Sequence, residues 1–152
     1  MAFYLTLICS LPPAVHAEET ISEIDPLVAG VVAVRNNALV RKVRIRADNA
    51  VVPDRDIIVV KAGQSGRYRL AGFPPDRILN VTVLPLGAVG TVPASPAAGW
   101  TMESFDIRPF PIRSNAGGEV EIQIGVTLAT TGGNIPYVSA NYNGLFNISV
   151  TY

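Results

Sequence analysis

From Phe146 to Tyr152 large apolar residues alternate with small polar ones: Phe146, Ile148, Val150 and Tyr152 against Asn147, Ser149 and Thr151. Successive side chains on an extended strand point to opposite faces, so this stretch predicts a half-buried strand with one apolar and one wettable face. The chain is expected to close its core with it. The same two-residue period recurs upstream. Val43, Ile45 and Ala47 oppose Lys42, Arg44 and Arg46; Tyr68 and Leu70 oppose Arg67 and Arg69; Val120, Ile122 and Ile124 oppose Glu119, Glu121 and Gln123. Gly125 inside this last run predicts a bulge, beyond which Val126 and Leu128 continue the apolar face. Leu27–Val34, Ile57–Val60, Ile78–Leu84 and Met102–Ile107 read as further strands. Turns are expected at Asn36-Asn37, Ala62–Gly66, Gly72–Asp76, Asn115–Gly118 and Thr130–Asn134. No stretch keeps a helical period over twelve or more residues. The pattern predicts an all-β fold, an immunoglobulin-like antiparallel β-sandwich of about seven to nine short strands.

The length of 152 residues, 49% of them hydrophobic and 16% charged, suits one domain with a sizeable core and is too apolar for a disordered chain. Twelve basic and twelve acidic residues balance, so charge gives no pull toward nucleic acid or an anionic membrane. Residues 1–17 read as a secretory leader: an apolar run from Phe3 to Cys9, a break at Pro12-Pro13, and small residues around Val15-His16-Ala17 for cleavage before Glu18. That run is too short for a membrane span. Residues 18–152 are then the single sandwich domain, and the protein is expected to be exported to the periplasm, the cell surface or the medium. Cys9 and His16 are the only cysteine and histidine, and both fall in the leader. The domain therefore has no disulfide, no zinc site of the usual Cys/His kind, and no Ser-His-Asp or Cys-His nucleophile system. No catalytic residue, metal ligand or cofactor is assigned.

Weaker signals each have a plain reading. The Lys42, Arg44 and Arg46 stripe could meet phosphate or a sulfated glycan, but reads first as a solvated outer face or a sheet-edge device. Asp54 and Asp56 hold only part of a calcium loop and read as turn chemistry. Glu103 and Asp106 would be the first carboxylate pair for a hydrolase to use. Residues 85–99 form a Pro- and Gly-rich loop running into Trp100. This is the candidate ligand loop, although a Trp at a loop's end more often caps a core.

Three segments carry a family resemblance. Tyr68-Arg-Leu-Ala-Gly-Phe-Pro74, Glu121–Leu128 and the ending Tyr142-Asn-Gly-Leu-Phe-Asn-Ile-Ser-Val-Thr-Tyr152 resemble the bacterial domain-of-unknown-function 4402 family, over roughly residues 27 to 152. The chain departs from that family's pattern at Ala29-Gly30 and Gly125-Val126. That family is similar to subunits of chaperone–usher surface fibres and to spore-coat-U-like domains. The resemblance implies a non-enzymatic secreted or cell-surface structural protein, like a fimbrial subunit, whose incomplete sandwich is finished by a donated strand. Its partners would be like subunits or a periplasmic chaperone. Phe146, Ile148, Val150 and Tyr152 would form the partner-strand edge, with the Tyr152 carboxylate as an anchor. Leu27–Val34, or the segment before it, would be the donated strand. The alternative is a self-complete β-sandwich binding module, an adhesin or a glycan or protein binder, using the loop before Trp100.

Overall fold

The structure, a computed structural model, describes residues 18–152 apart from 88–89, 93–98 and 138; the expected leader lies outside them. Strand β10 (Val120–Thr130) organises the rest. Its first half, Val120 to Ile124, pairs with β6 (Gly66–Ala71). Its second half, Val126 to Ala129, pairs with β3 (Lys42–Ile45). β9 (Trp100–Arg108) runs along the opposite side of β10. β1 (Thr20–Asp25) adds to the far side of β6, and β4 (Val51–Pro53) to the far side of β3. All these ladders are antiparallel and make one six-stranded sheet. Three two-stranded ladders lie apart from it: β2 (Val31–Val34) with β5 (Ile57–Lys61), β7 (Asn80–Pro85) with β12 (Phe146–Thr151), and β8 (Gly90–Val92) with β11 (Asn141–Asn143). Among the described residues the chain is all-β, an antiparallel sandwich, as its alternation predicts.

The switch of partner along β10 happens at Gly125. A Cβ there would sit 2.2 Å from the Ile45 carbonyl oxygen and 2.6 Å from the Ala47 nitrogen, so only glycine lets β3 come in at this point. The expected bulge is not at this residue. The alternation of Ile122, Ile124, Val126 and Leu128 passes through it unbroken, and the register shift against β9 lies at Thr127/Leu128 instead. The glycine answers to a neighbouring backbone rather than to a kink.

Two apolar clusters lie on the inner face of the sheet. One gathers Val43, Ile45, Ile57, Trp100, Met102, Val126 and Leu128, with Val32 and Val34 of β2 packed against it. The other gathers Tyr68, Leu70, Leu79, Val83, Ile122 and Ile124, under Phe146, Ile148 and Val150 of β12. Phe105 touches both clusters. Leu70, Ile122 and Ile124 are wholly buried, each contributing about 1.5–3 kcal/mol. The outer face is a lattice of ion pairs: Lys42–Glu103 at 2.6 Å, Arg67–Asp25 at 2.8 Å, Arg46–Asp48 at 3.2 Å and Arg44–Asp54 at 3.7 Å. Exposed pairs of this kind contribute up to about 1 kcal/mol each, so the inner clusters hold the fold.

Leu27–Val34 belongs to that interior. Val28 bridges Gln64, β2 pairs with β5, and Leu27, Ala29, Val32 and Val34 pack on the core. The segment expected as a donated strand is here packed on its own chain, with Val28 and Val31 left exposed.

Candidate functional site

Cross-strand partners standing directly opposite present their side chains on one face. Ile21 stands opposite Leu70, and Glu23 opposite Tyr68; Leu70 and Tyr68 are both core residues. Ile21 and Glu23 therefore point inward. Yet Ile21 is 42% exposed, and Glu23 is exposed too. Inward-facing side chains left open to water mark a place where a layer ends. β1 pairs only with β6 among the described residues and forms the edge of the large sheet.

β12 is the matching edge across the gap. Phe146, Ile148 and Val150 turn inward and stay half-buried, while Asn147, Ser149 and Thr151 face solvent. The Leu86 amide donates to the Leu145 carbonyl at 2.8 Å, which sets the phase of the ladder that follows. Bonded and non-bonded pairs alternate in antiparallel ladders, so Asn147, Ser149 and Thr151 are the residues whose backbones bond to β7. The N–H and C=O groups of Phe146, Ile148 and Val150 point the other way, off the edge of β12 that has no partner strand among the described residues.

Between these edges lies a groove of ≈ 580 Å³. Ile21, Pro26, Leu27, Leu145, Phe146 and Ile148 supply its apolar walls, and Glu23, Tyr68 and Asn147 its polar part. The Tyr68 hydroxyl donates to Glu23 Oε2 at 3.5 Å. Burial first, and then the neighbouring Glu23 carboxylate, push the Tyr68 pKa up to about 12. Phe146 holds its wall through rings: Tyr68 lies edge-on at 6.2 Å and Phe105 tilted at 5.4 Å. Tyr152 lies just beyond the ladder. Its ring stands edge-on to Phe73 at 5.9 Å and its hydroxyl donates to Glu19 at 2.5 Å, a bond that raises the Tyr152 pKa. Of the four residues expected at a partner edge, Phe146, Ile148 and Val150 are on the β12–β7 ladder, and Tyr152 ties the end of β12 to Glu19 just ahead of β1.

The other sequence signals resolve differently. Trp100 is 5% exposed within the cluster of Val43, Ile45 and Val126, and its ring lies 5.4 Å from that of Tyr137. It is a core residue and not a ligand platform, which corrects its place as the candidate loop residue. Residues 88–89 and 93–98 of the loop before it lie outside the described residues. Lys42, Arg44 and Arg46 are each paired to an acid, and β3 runs between β10 and β4, so the stripe is an outer face and not a sheet edge. Asp54 accepts the Lys42 amide and pairs with Arg44, while Asp56 pairs with Arg41 at 3.0 Å; this is turn and ion-pair chemistry. Glu103 pairs with Lys42, and Asp106 accepts the Ala47 amide at 3.0 Å. Neither carboxylate lines the groove. No group of three metal-ligating residues occurs among the described residues.

Sequence reasoning offered the segment before Leu27 only as an alternative donated strand and did not place Ile21 and Glu23 at the groove, because Thr20–Asp25 does not alternate cleanly: the register shifts between Glu23 and Asp25. It also missed Asn37, read only as a turn. Its buried side-chain amide donates to the Gly132 and Ile135 carbonyls, and its oxygen accepts the Gly132 amide. Among the described residues no helix is long and apolar enough to cross a membrane. Comparison with protein families, curated proteins and solved structures finds no match.

Proposed function

We propose that the chain is a non-enzymatic structural subunit, exported and fimbrial-subunit-like, that associates by accepting a partner's β-strand in the groove between β1 and β12. The observation that carries this reading is the coincidence at Phe146, Ile148 and Val150. Phe146 and Ile148 line the groove and Val150 continues the same face of β12, while among the described residues the backbone groups of all three point off an edge that no strand pairs. A strand laid there gains main-chain bonds and buries alternate side chains in one step. An uncovered edge of this kind is otherwise an aggregation liability. The resemblance of the Tyr68–Pro74 and Tyr142–Tyr152 segments to the domain-of-unknown-function 4402 family supports the same reading, including an immunoglobulin-like topology.

The self-complete binding module keeps one observation in its favour: the first and last strands, β1 and β12, are both paired. Among the described residues each is paired on one side only, and Ile21 is 42% exposed. Amide exchange on the folded chain, followed by NMR with and without an alternating apolar strand peptide, separates the two readings. Strand acceptance predicts that the Phe146, Ile148 and Val150 amides exchange fast alone and become protected with the peptide. If they are already as protected as those of Asn147 and Ser149, and the peptide changes nothing, the proposal fails and the complete sandwich stands.

A further inference from the structure

The groove is not uniformly apolar, and its polar spot has a position. Glu23 faces inward from the middle of β1, opposite Tyr68, with Ile21 on one side of it and Leu27 beyond it on the other. Tyr68 is the hydrogen-bond partner of its carboxylate, and the described ion pairs give Glu23 no cation, whereas Asp25, two residues on, is paired to Arg67 on the outer face. No Lys or Arg is among the described residues lining the groove. A strand that buried an aliphatic side chain against Glu23 would desolvate a carboxylate without compensation, which is expensive. A strand that brought an ammonium or guanidinium there would not.

Building on the strand-accepting reading, we infer that Glu23 selects the partner: the groove takes an extended segment carrying Lys or Arg at the inward position passing Glu23, with apolar residues two positions to either side. The apolar neighbours meet Ile21 on one side of Glu23 and Leu27 on the other, as the two-residue period of a strand requires. Tyr68 stays protonated at ordinary pH, so its hydroxyl keeps donating and Glu23 remains the acceptor that a cation completes. The same carboxylate turns away purely apolar strands. Inward-pointing charge protects sheet edges from indiscriminate pairing, and specificity built this way has a repulsive and an attractive half.

Three short capped peptides test this. They share alternating Ile and Thr and differ only at the central inward residue: lysine, norleucine or glutamate. Binding to the full chain is read by fluorescence anisotropy at low and high salt. The lysine peptide is expected to bind about five-fold tighter than the norleucine peptide at low salt, the margin shrinking as salt rises, and the glutamate peptide is expected to bind weakest. Glu23→Gln should reverse the first preference, weakening lysine and strengthening norleucine. If lysine and norleucine peptides bind equally well, or Glu23→Gln leaves their order unchanged, selection by Glu23 is refuted while strand acceptance survives. If no peptide binds, strand acceptance itself falls.

Discussion

Replacing Phe146 with alanine tests whether β12 is held to the sandwich by its inward face or only by its ladder with β7. Phe146 sits between the rings of Tyr68 and Phe105 and lines the groove. A half-buried Phe side chain keeps roughly 100 Å² of apolar surface from water, or about 2.5 kcal/mol at 25 cal/mol per Å². The two ring contacts add about 0.5 kcal/mol or more between them. The space left by the ring opens onto the groove, so water enters and no closed-cavity penalty is added. The expected loss is therefore about 3 kcal/mol, read as a lower urea midpoint with unchanged m-value. Phe110→Ala is the control. That ring is 90% exposed, and its removal should shift stability by less than about 0.5 kcal/mol. A Phe146→Ala loss below about 1 kcal/mol would mean that the inward face contributes little, and the reasoning that reads β12 as a groove wall anchored in the core would be wrong.

Gly125→Ala places a methyl 2.2 Å from the Ile45 carbonyl, so β3 must move by about 1 Å or lose its pairing with β10; thermal melting should show a loss of about 3 kcal/mol or more, or no folded protein at all. Asn37→Ala leaves the Gly132 amide and two carbonyls without their partner and should lower stability by about 2 kcal/mol in a urea titration. Tyr68 has its pKa raised to about 12 in the fold, and Tyr152 is also raised. The unfolded chain thus gives up these protons first as pH climbs past about 10. Stability should be level below that pH and fall between 10 and 12. Tyr68→Phe combined with Tyr152→Phe should flatten the fall; an unchanged slope in the double variant would assign it elsewhere.

The alternation of β6, β10 and β12 was legible because strand period and burial agree there: Tyr68 and Leu70, Ile122 and Ile124, Phe146 and Ile148 all face the interior as the sequence pattern requires. Trp100 was ambiguous because the residues on one side of it suggest a surface loop, whereas β9, which begins at Trp100 itself, carries the ring into the core. Asn37 was hidden because its partners lie about a hundred positions away, at Gly132 and Ile135. Gly125 was noticed and misassigned for the same reason. The sequence marks a residue without a side chain, but the carbonyl that forbids one belongs to Ile45 on another strand.

The groove lies beyond local pattern for a more general reason. A two-residue period reports which side of a strand is apolar, and it is the same whether a neighbour covers the strand's edge or leaves it open. Phe146, Ile148 and Val150 read identically in either case. Coverage is decided by what stands beside β12, and that depends on β1 taking its place next to β6 rather than crossing the gap. Glu23 is the residue that exposes the difference. In a strand buried on its inner face an inward carboxylate held only by the Tyr68 hydroxyl would carry a heavy desolvation penalty, and Glu23 on β1 is exposed. An acid at an inward, water-exposed position of β1 becomes readable only once Tyr68 is known to stand opposite.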